Sequence, residues 1–271
     1  MQPSRQPIQV AVLVSEGRHP VSLRVRRAIN DAQALELALR LATGYSVELS
    51  VVHAGAAESA ALRGYLGMGV DAIRVLSVSP EADVLPALAN HLRLLEPQLI
   101  LTGARAEAGW GSGCLPYFLA QALGWPIVTN SDAISLSVDA GKAAIRQVRA
   151  RGQRRALEVC LPAVITVDPA APLPRQSAFA RARNGRVNVM ADHSMDHPPL
   201  PFIGEARPAR QRPKRLRVDN AVSAAERLKA ITEVATGHGR MTEPASPADA
   251  ARLIYQYLVD NGILKCRPPA Q

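Results

Sequence analysis

Four times in the first 130 residues a short apolar run is followed by a segment with helical spacing, and this alternation limits the chain to one kind of core. Residues 8–14 form a continuous apolar-rich run, as expected of a strand covered on both faces. Asn30 or Asp31 can cap a helix reaching about Thr43, with Ala34, Leu35, Ala38, Leu39 and Ala42 on one stripe and Gly44 as its stop. Strand-like runs recur at 47–52, 73–76 and 99–102, separated by helical patterns at 57–67 and 80–95. A further helix at 113–123 is ended by Gly124 and Pro126. Short connections between alternating strands and helices predict an α/β fold, a doubly wound, mostly parallel sheet built by right-handed crossovers. Ligands of such sheets lie beyond the carboxyl ends of the strands, where loops 14–20, 53–56 and 103–113 gather.

After Thr129 the pattern changes. Residues 133–138 and 144–148 around Asp139-Ala140-Gly141-Lys142 read as a hairpin, 155–161 as a third extended segment and 162–167 as one more buried strand, so the sheet gains antiparallel additions. From 169 to 217 the chain is rich in Pro, Arg and Ala with little periodicity and reads as an arm. Helices follow at 221–234 and 247–261. The second has Ser246 with Asp249 three residues on, Gly262 as its stop, and an apolar stripe of Ala250, Leu253, Ile254, Tyr257 and Leu258 that must cover something. The expected division is a nucleotide-binding-like α/β domain over 1–187 and an extended arm with C-terminal helices over 188–271.

Composition narrows the setting. With 48% hydrophobic but only 4% aromatic residues, the core must be aliphatic. Cys114, Cys160 and Cys266 are widely spaced and odd in number, which indicates neither a disulfide framework nor a zinc site and favours a reducing, cytoplasmic location. No leader pattern precedes the first strand, and no run approaches a membrane span, so membrane insertion is not expected. The net charge of +9 is concentrated in 171–217, where ten Arg or Lys face only Asp192, Asp196 and Glu205. Such a segment suits an acidic protein surface, a phosphate or a nucleic acid. Without interleaved aromatics beyond Phe179 and Phe202 it matches no nucleic-acid reading motif, so docking on an acidic protein is the preferred account.

Gly103-Ala104-Arg105-Ala106-Glu107-Ala108-Gly109-Trp110-Gly111-Ser112-Gly113 joins a strand to a helix with four glycines, which allow close backbone approach to a phosphate at a helix N-terminus. It is neither a Walker nor a Rossmann motif, and a plain βα connection explains the same spacing. His193 and His197 stand four apart beside Asp192 and Asp196 but lack a third ligand, so a solvated loop is the expectation. His53 reads as a core or capping histidine, and Cys114 as a small packed residue. No nucleophile, acid–base pair or triad has recognisable context.

The stretch Leu62-Arg63 to Leu66-Gly67-Met68-Gly69-Val70-Asp71 resembles the Leu-Arg-x-x-Leu-x-Met-Gly-x-Asp run of electron transfer flavoprotein beta subunits. The helix at 31–41, Pro97-Gln98-Leu99-Ile100 with Gly103, and Leu119-Ala120 with Leu123-Gly124-Trp125 resemble further family segments in the same order. Leu161-Pro162-Ala163-Val164-Ile165-Thr166 with Asp168 and Pro174-Arg175 is similar to the stretch that best marks the family. The resemblance covers about 8–187.

That resemblance implies an adenine-nucleotide-hydrolase-like sheet and a subunit without bond chemistry of its own. It implies pairing with an alpha subunit that mainly holds the FAD, the heterodimer carrying electrons from a flavoprotein dehydrogenase to a quinone reductase. It places Ala11, Ala54 and the loop residues Gly109, Gly111, Ser112 and Gly113 at a nucleotide, AMP in most of the family. It places Arg175, Phe179 and Arg181 in a loop that recognises the dehydrogenase. The family's acidic run and Asn-Gln-Thr-Gly are replaced by Gly109-Trp110-Gly111-Ser112-Gly113-Cys114-Leu115-Pro116, and its Asn-Pro before the first helix by Ala28-Ile29. These replacements leave AMP open. The alternative reading is a stand-alone adenine-nucleotide-binding domain of the universal-stress or nucleotide-hydrolase type, and a third is a nucleic-acid-binding protein using 171–217.

Overall fold

Alternate side chains of β1 (Ile8–Val14) enter two different cores. Ile8, Val10, Val12 and Val14 join the larger aliphatic cluster, while Ala11 and Leu13 join a second one on the opposite face. This is why the strand reads as an unbroken apolar run. The computed structural model describes residues 7–79, 82–108, 111–137, 140–190, 223–225, 228 and 243–260. The chain divides into two compact units, Met1–Glu205 and Ala206–Gln271.

In the first unit a nine-stranded sheet has the order β11-β5-β4-β1-β6-β10-β7-β8-β9. Its parallel part comprises β4 (Val47–Ala54), β5 (Ala72–Leu76), β6 (Leu99–Gly103), β10 (Ala163–Val167) and β11 (Arg186–Met190) with β1 and the start of β7 (Ile127–Ser137). Helices α1 (Ile29–Gly44) and α2 (Ala60–Leu66) supply Leu35, Ala38, Leu62 and Tyr65 to the larger cluster. On the other face α3 (Val84–Leu95) and α4 (Leu115–Leu123) supply Leu88, Leu92 and Leu119 to the second. Successive crossovers leave β1 first toward β4 and β5 and then toward β6, so the winding reverses between β1 and β6. Their carboxyl ends form the crevice in which such sheets bind ligands. The predicted doubly wound, mostly parallel sheet is present.

The antiparallel addition is β8 (Lys142–Val148) and β9 (Arg154–Cys160), joined to the far half of β7. β7 therefore changes partner along its length, parallel to β10 at Ile127 and antiparallel to β8 from Ser131 onward. Both ladders shift register near Ser131. The irregularity re-aims Asp132, a standard effect of an extra residue in one strand.

The structure departs from expectation in several places, and β7 begins at Ile127, ahead of the expected strand at 133–138. The loop after β1 contains a small hairpin, β2 (Glu16–Arg18) with β3 (Val25–Arg27). The helix α1 has Ala28 as its N-cap with no side-chain cap, so neither Asn30 nor Asp31 caps it. The arm expected from 169 onward contributes α5 (Phe179–Asn184) and the edge strand β11, which pairs with β5 from Arg186↔Ala72 to Met190↔Leu76. Residues 191–217 of that arm, with the His193/His197 pair, and the expected 221–234 helix apart from 223–225 and 228 lie outside the described residues. In the second unit the C-terminal helix Pro247–Asp260 begins as predicted. The Ser246 hydroxyl accepts the Asp249 amide (3.2 Å) and donates to its carboxylate (2.7 Å).

Candidate functional site

The crevice between the ends of β1 and β6 is closed by side chains from the first turn of α1. Asp31 is buried, and its Oδ2 accepts the Ser15 amide (2.8 Å) and hydroxyl (2.5 Å) while its Oδ1 accepts the Gly103 amide (3.1 Å). The Asn30 side-chain carbonyl accepts the Ala104 amide at 2.7 Å. Glu107 reaches back from the loop after β6, accepting the Ile29 amide at 2.7 Å with one oxygen and pairing with Arg26 at 2.8 Å with the other. Tyr65 completes the closure from α2, its hydroxyl accepting the Ala28 amide and donating to the Ser15 carbonyl, both at 2.8 Å. Burial pushes the Asp31 carboxyl up to about 6 despite those hydrogen bonds, and the nearby Glu107 charge adds to the rise. Burial likewise pushes the Tyr65 phenol well up.

The residues expected at a nucleotide are placed as follows. Ala11 is fully buried in the middle of β1, within the cluster under α3 and α4, and offers no surface. Ala54 ends β4, partly buried. Gly109 lies outside the described residues. Gly111 and Gly113 adopt left-handed φ of 52° and 76°, and the Ser112 hydroxyl accepts the Cys114 amide at 3.2 Å. A Cβ on Gly111 would lie 3.3 Å from the Ala106 carbonyl, and one on Gly113 3.2 Å from that of Ala104, so the loop folds back on its own stem. His53 is buried with Nδ1 donating to the Val14 carbonyl (2.9 Å), and burial lowers its pKa, in keeping with a core histidine.

The segment expected to recognise a partner is bolted down along its length. The Arg175 guanidinium donates to Glu36 through Nε at 2.7 Å, and its own amide does so at 3.2 Å. Burial alone would raise Glu36, but hydrogen bonds from Arg175 and Arg40 hold it below the usual carboxylate range; the same pair raises Arg175. Ahead of it, the Gln33 side chain donates to the Pro169 and Ala171 carbonyls. Ser177 and Ala178 cross directly over Gly67, where any Cβ would collide with the Ser177 hydroxyl, and the Ala178 amide donates to the Gly67 carbonyl. Arg181 lies against Gly69, whose φ of 112° suits glycine. Arg63 Nη1 donates to the Ala182 and Gly185 carbonyls at 3.1 and 2.8 Å, capping the end of α5. The Leu-Gly-Met-Gly motif is thus the seat of this segment. Phe179, at the first position of α5, remains 80% exposed.

On the antiparallel strands, Asp132 is buried and forks between Arg146 (2.7 Å) and Arg154 (2.8 Å). Burial would raise it, but the two guanidiniums hold it below its ordinary value. Beside it an open hollow of about 440 Å³ is lined by Ile134, Ile145, Arg146, Leu157 and Glu158 among others. Among the described residues no group of three or more His, Cys, Asp or Glu side chains is arranged to hold a metal ion.

The sequence reading missed Asp31 and Glu107 as closing groups. Asp31 was legible as a helix-capping type, and its oxygens do cap amides, but those of β1 and β6; nothing local marks Glu107.

Residues 23–194 match the family model described as an electron transfer flavoprotein domain. A protein of Chromohalobacter salexigens named electron transfer flavoprotein subunit beta is 45% identical over 262 residues, covering 95% of this chain and 96% of its own length. Among solved structures, the C-terminal domain of the coenzyme A biosynthesis bifunctional protein CoaBC matches with a TM-score of 0.20 and 13% identity. It covers 58% of this chain and 91% of that one, a likeness too slight to bear on fold or site. The family match takes in the strands from β3 to β11 and the bolted segment, with β1 and β2 outside it, and the chain belongs to the electron transfer flavoprotein family, aligning over nearly its whole length with a beta subunit and sharing that family's electron-transfer role.

Proposed function

We propose that this chain pairs with an alpha subunit holding the FAD, and that the heterodimer takes electrons from a flavoprotein dehydrogenase through the segment 175–190 and passes them to a quinone reductase. The observation that carries the docking part is Phe179. A large aromatic, 80% exposed, stands on a short helix whose base, floor and end are each fixed by Glu36, Gly67 and Arg63. An exposed ring on a rigid mount, flanked by Arg175 and Arg181, loses little entropy on docking and suits an acidic-rimmed apolar socket. The redox chemistry resides in the flavin, and this chain's residues position and shield without making or breaking bonds.

The chain beyond β11 wraps the partner in this reading, supported by the exposure of Leu253 and Ile254 on the C-terminal helix. No helix among the described residues is long and apolar enough to cross a membrane. Two exposed unpaired thiols, Cys114 and Cys160, suit the reducing cytoplasm.

Co-expression with a candidate alpha subunit, purification through a tag on this chain and an absorption spectrum test the pairing. The expected result is a stoichiometric larger partner with a yellow flavin spectrum; a lone colourless chain that takes up ATP would overturn it. In the heterodimer, Phe179→Ala should weaken binding to the dehydrogenase about tenfold or more while leaving the melting temperature unchanged. Unchanged affinity would remove Phe179 from the interface.

A further inference from the structure

The fold and the resemblance together call for a nucleotide phosphate at the β1/β6 crevice, where the first turn of α1 points its amides. The residues present do not fit one. Four amides at the crevice, those of Ser15, Ile29, Gly103 and Ala104, already donate to side chains of this protein: Asp31 Oδ2, Glu107 Oε1, Asp31 Oδ1 and Asn30 Oδ1. The amide at the start of α4, that of Cys114, donates to the Ser112 hydroxyl. Space is taken as well as donors. A Cβ added to Gly103 would collide with Asp31 Oδ1, and one on Gly17 would come within 2.7 Å of Ala28 and 2.8 Å of Glu107 Oε2. The space beside the Gly17 and Gly103 backbone is therefore filled by Ala28, Glu107 and Asp31. The closing groups also carry the wrong charge, since Asp31 and Glu107 are near enough for Glu107 to raise the Asp31 carboxyl, and a third anion would meet both.

We infer that this chain carries no nucleotide at the crevice and that the Glu107 carboxylate takes the phosphate's structural place. Glu107 does what a bound phosphate does in such folds. It puts negative charge on the N-terminus of α1, accepts the Ile29 amide that no intrahelical partner satisfies, and neutralises a nearby arginine, Arg26, from β3. The replacement of a diffusible ligand by a side chain ties the loop after β6 to α1 and to the β2–β3 hairpin within one polypeptide. Folding of this subunit is then independent of adenylate supply. The heterodimer in this inference is that of the preceding section, but the crevice itself is internal to this chain.

The test is nucleotide analysis of the acid-denatured, co-expressed heterodimer, with thermal melts of the same protein. The expected supernatant contains FAD and no adenylate above trace, and the melting temperature is indifferent to added AMP and inorganic phosphate. AMP equimolar with FAD, or stabilisation of the wild-type protein by AMP, would overturn the inference. If no partner or flavin co-purifies, it is the pairing that has failed, and AMP titration of the lone chain still decides the crevice. Glu107→Ala should lower the melting temperature, and inorganic phosphate in excess should restore about 2–4 °C of it, an effect absent from wild type. Should that variant not fold, Glu107→Gln, which can still accept the Ile29 amide but loses the charge, should show a smaller loss. A foldable variant indifferent to phosphate would show that Glu107 is not a phosphate substitute.

Discussion

Asp31 and Asp132 are both almost wholly buried, 4% and 3% exposed, and both lie where strands of the same sheet end or break register, yet their carboxyls are driven in opposite directions. Asp31 faces only amides, a hydroxyl and a second carboxylate; burial wins, and the group rises to about 6. Asp132 faces two guanidiniums; their hydrogen bonds and charges outweigh burial, and the group falls. The partner, not the depth, decides what a buried carboxylate does. At the crevice Asp31 caps backbone amides, whereas on the hairpin Asp132 and under the segment 169–190 Glu36 grip arginines. Glu36 belongs with Asp132, being lowered by Arg175 and Arg40.

The largest effect that would sharpen this contrast is expected from Asp31→Ala, which leaves the Ser15 and Gly103 amides and the Ser15 hydroxyl without acceptors. It should cost about 2–4 kcal/mol. Its pH dependence has a definite sign. The folded group keeps its proton up to about 6 and the unfolded one releases it near 3.8, so between these values the folded state binds more protons and stability falls as pH rises. The stabilisation from Asp31 is therefore greater in acid, and the cost of Asp31→Ala should be about 1 kcal/mol larger at pH 5 than at pH 7.5. Urea melts at the two values measure it. A cost independent of pH, or larger at pH 7.5, would place a cation near Asp31 and erase the distinction.

The same regions were unequally legible in the sequence. The parallel strands stand out because both faces are covered, which writes runs such as 8–14 and 99–102 in apolar residues. The hairpin β7–β8 announced itself through Asp139-Ala140-Gly141-Lys142. β11 did not, because an edge strand needs few apolar residues. Val187, partly buried, and Val189, exposed, alternate with Arg186 and Asn188 in an arginine-rich stretch that reads as linker. β2 and β3, three residues each, are shorter than any periodicity can show. Gln33 and Glu36 lie off the apolar stripe of α1, and they are buried because residues 169–175 cross that face, a contact 136 to 139 positions away in sequence. Gly67 and Gly69 were visible as a motif, but their reason, a chain crossing above them, is visible only in three dimensions.

Glu36→Ala is expected to act less strongly than Asp31→Ala and with the opposite pH sign. It frees Arg175 from the base of the recognition segment and Arg40 from its pair four residues back. Those guanidinium arms are 42% and 54% exposed, so screening reduces the loss to about 1–2 kcal/mol. A carboxyl held below its unfolded value contributes stability that is fully present above the unfolded pKa and lost as pH falls through the folded one. The cost of Glu36→Ala should thus be full at pH 7 and shrink below about pH 4. Hydrogen exchange adds a local reading: the Ala178 and Gly185 amides, which close the segment onto Gly67 and Arg181, should exchange faster in the variant. If they keep wild-type protection, the segment is anchored by Gly67 and Arg63 alone.

The smallest effect is expected at Asp132, where the comparison is most exposed to failure. Asp132→Asn keeps the shape of the fork but removes its charge. Arg146 and Arg154 are 57% and 38% exposed and remain solvated without it, so the loss should be about 1 kcal/mol at pH 7, fading in acid as for Glu36. A double-mutant cycle with Arg154→Met isolates the pair and should return a coupling of about 0.5–1 kcal/mol, which starts to shrink below about pH 4 and vanishes once the pH falls below the lowered value of the folded carboxyl. A coupling of zero at neutral pH would mean that burial and ion pairing merely cancel at the strand irregularity. Asp132 would then resemble Asp31, a carboxylate kept for the backbone it shapes rather than for the arginines it meets.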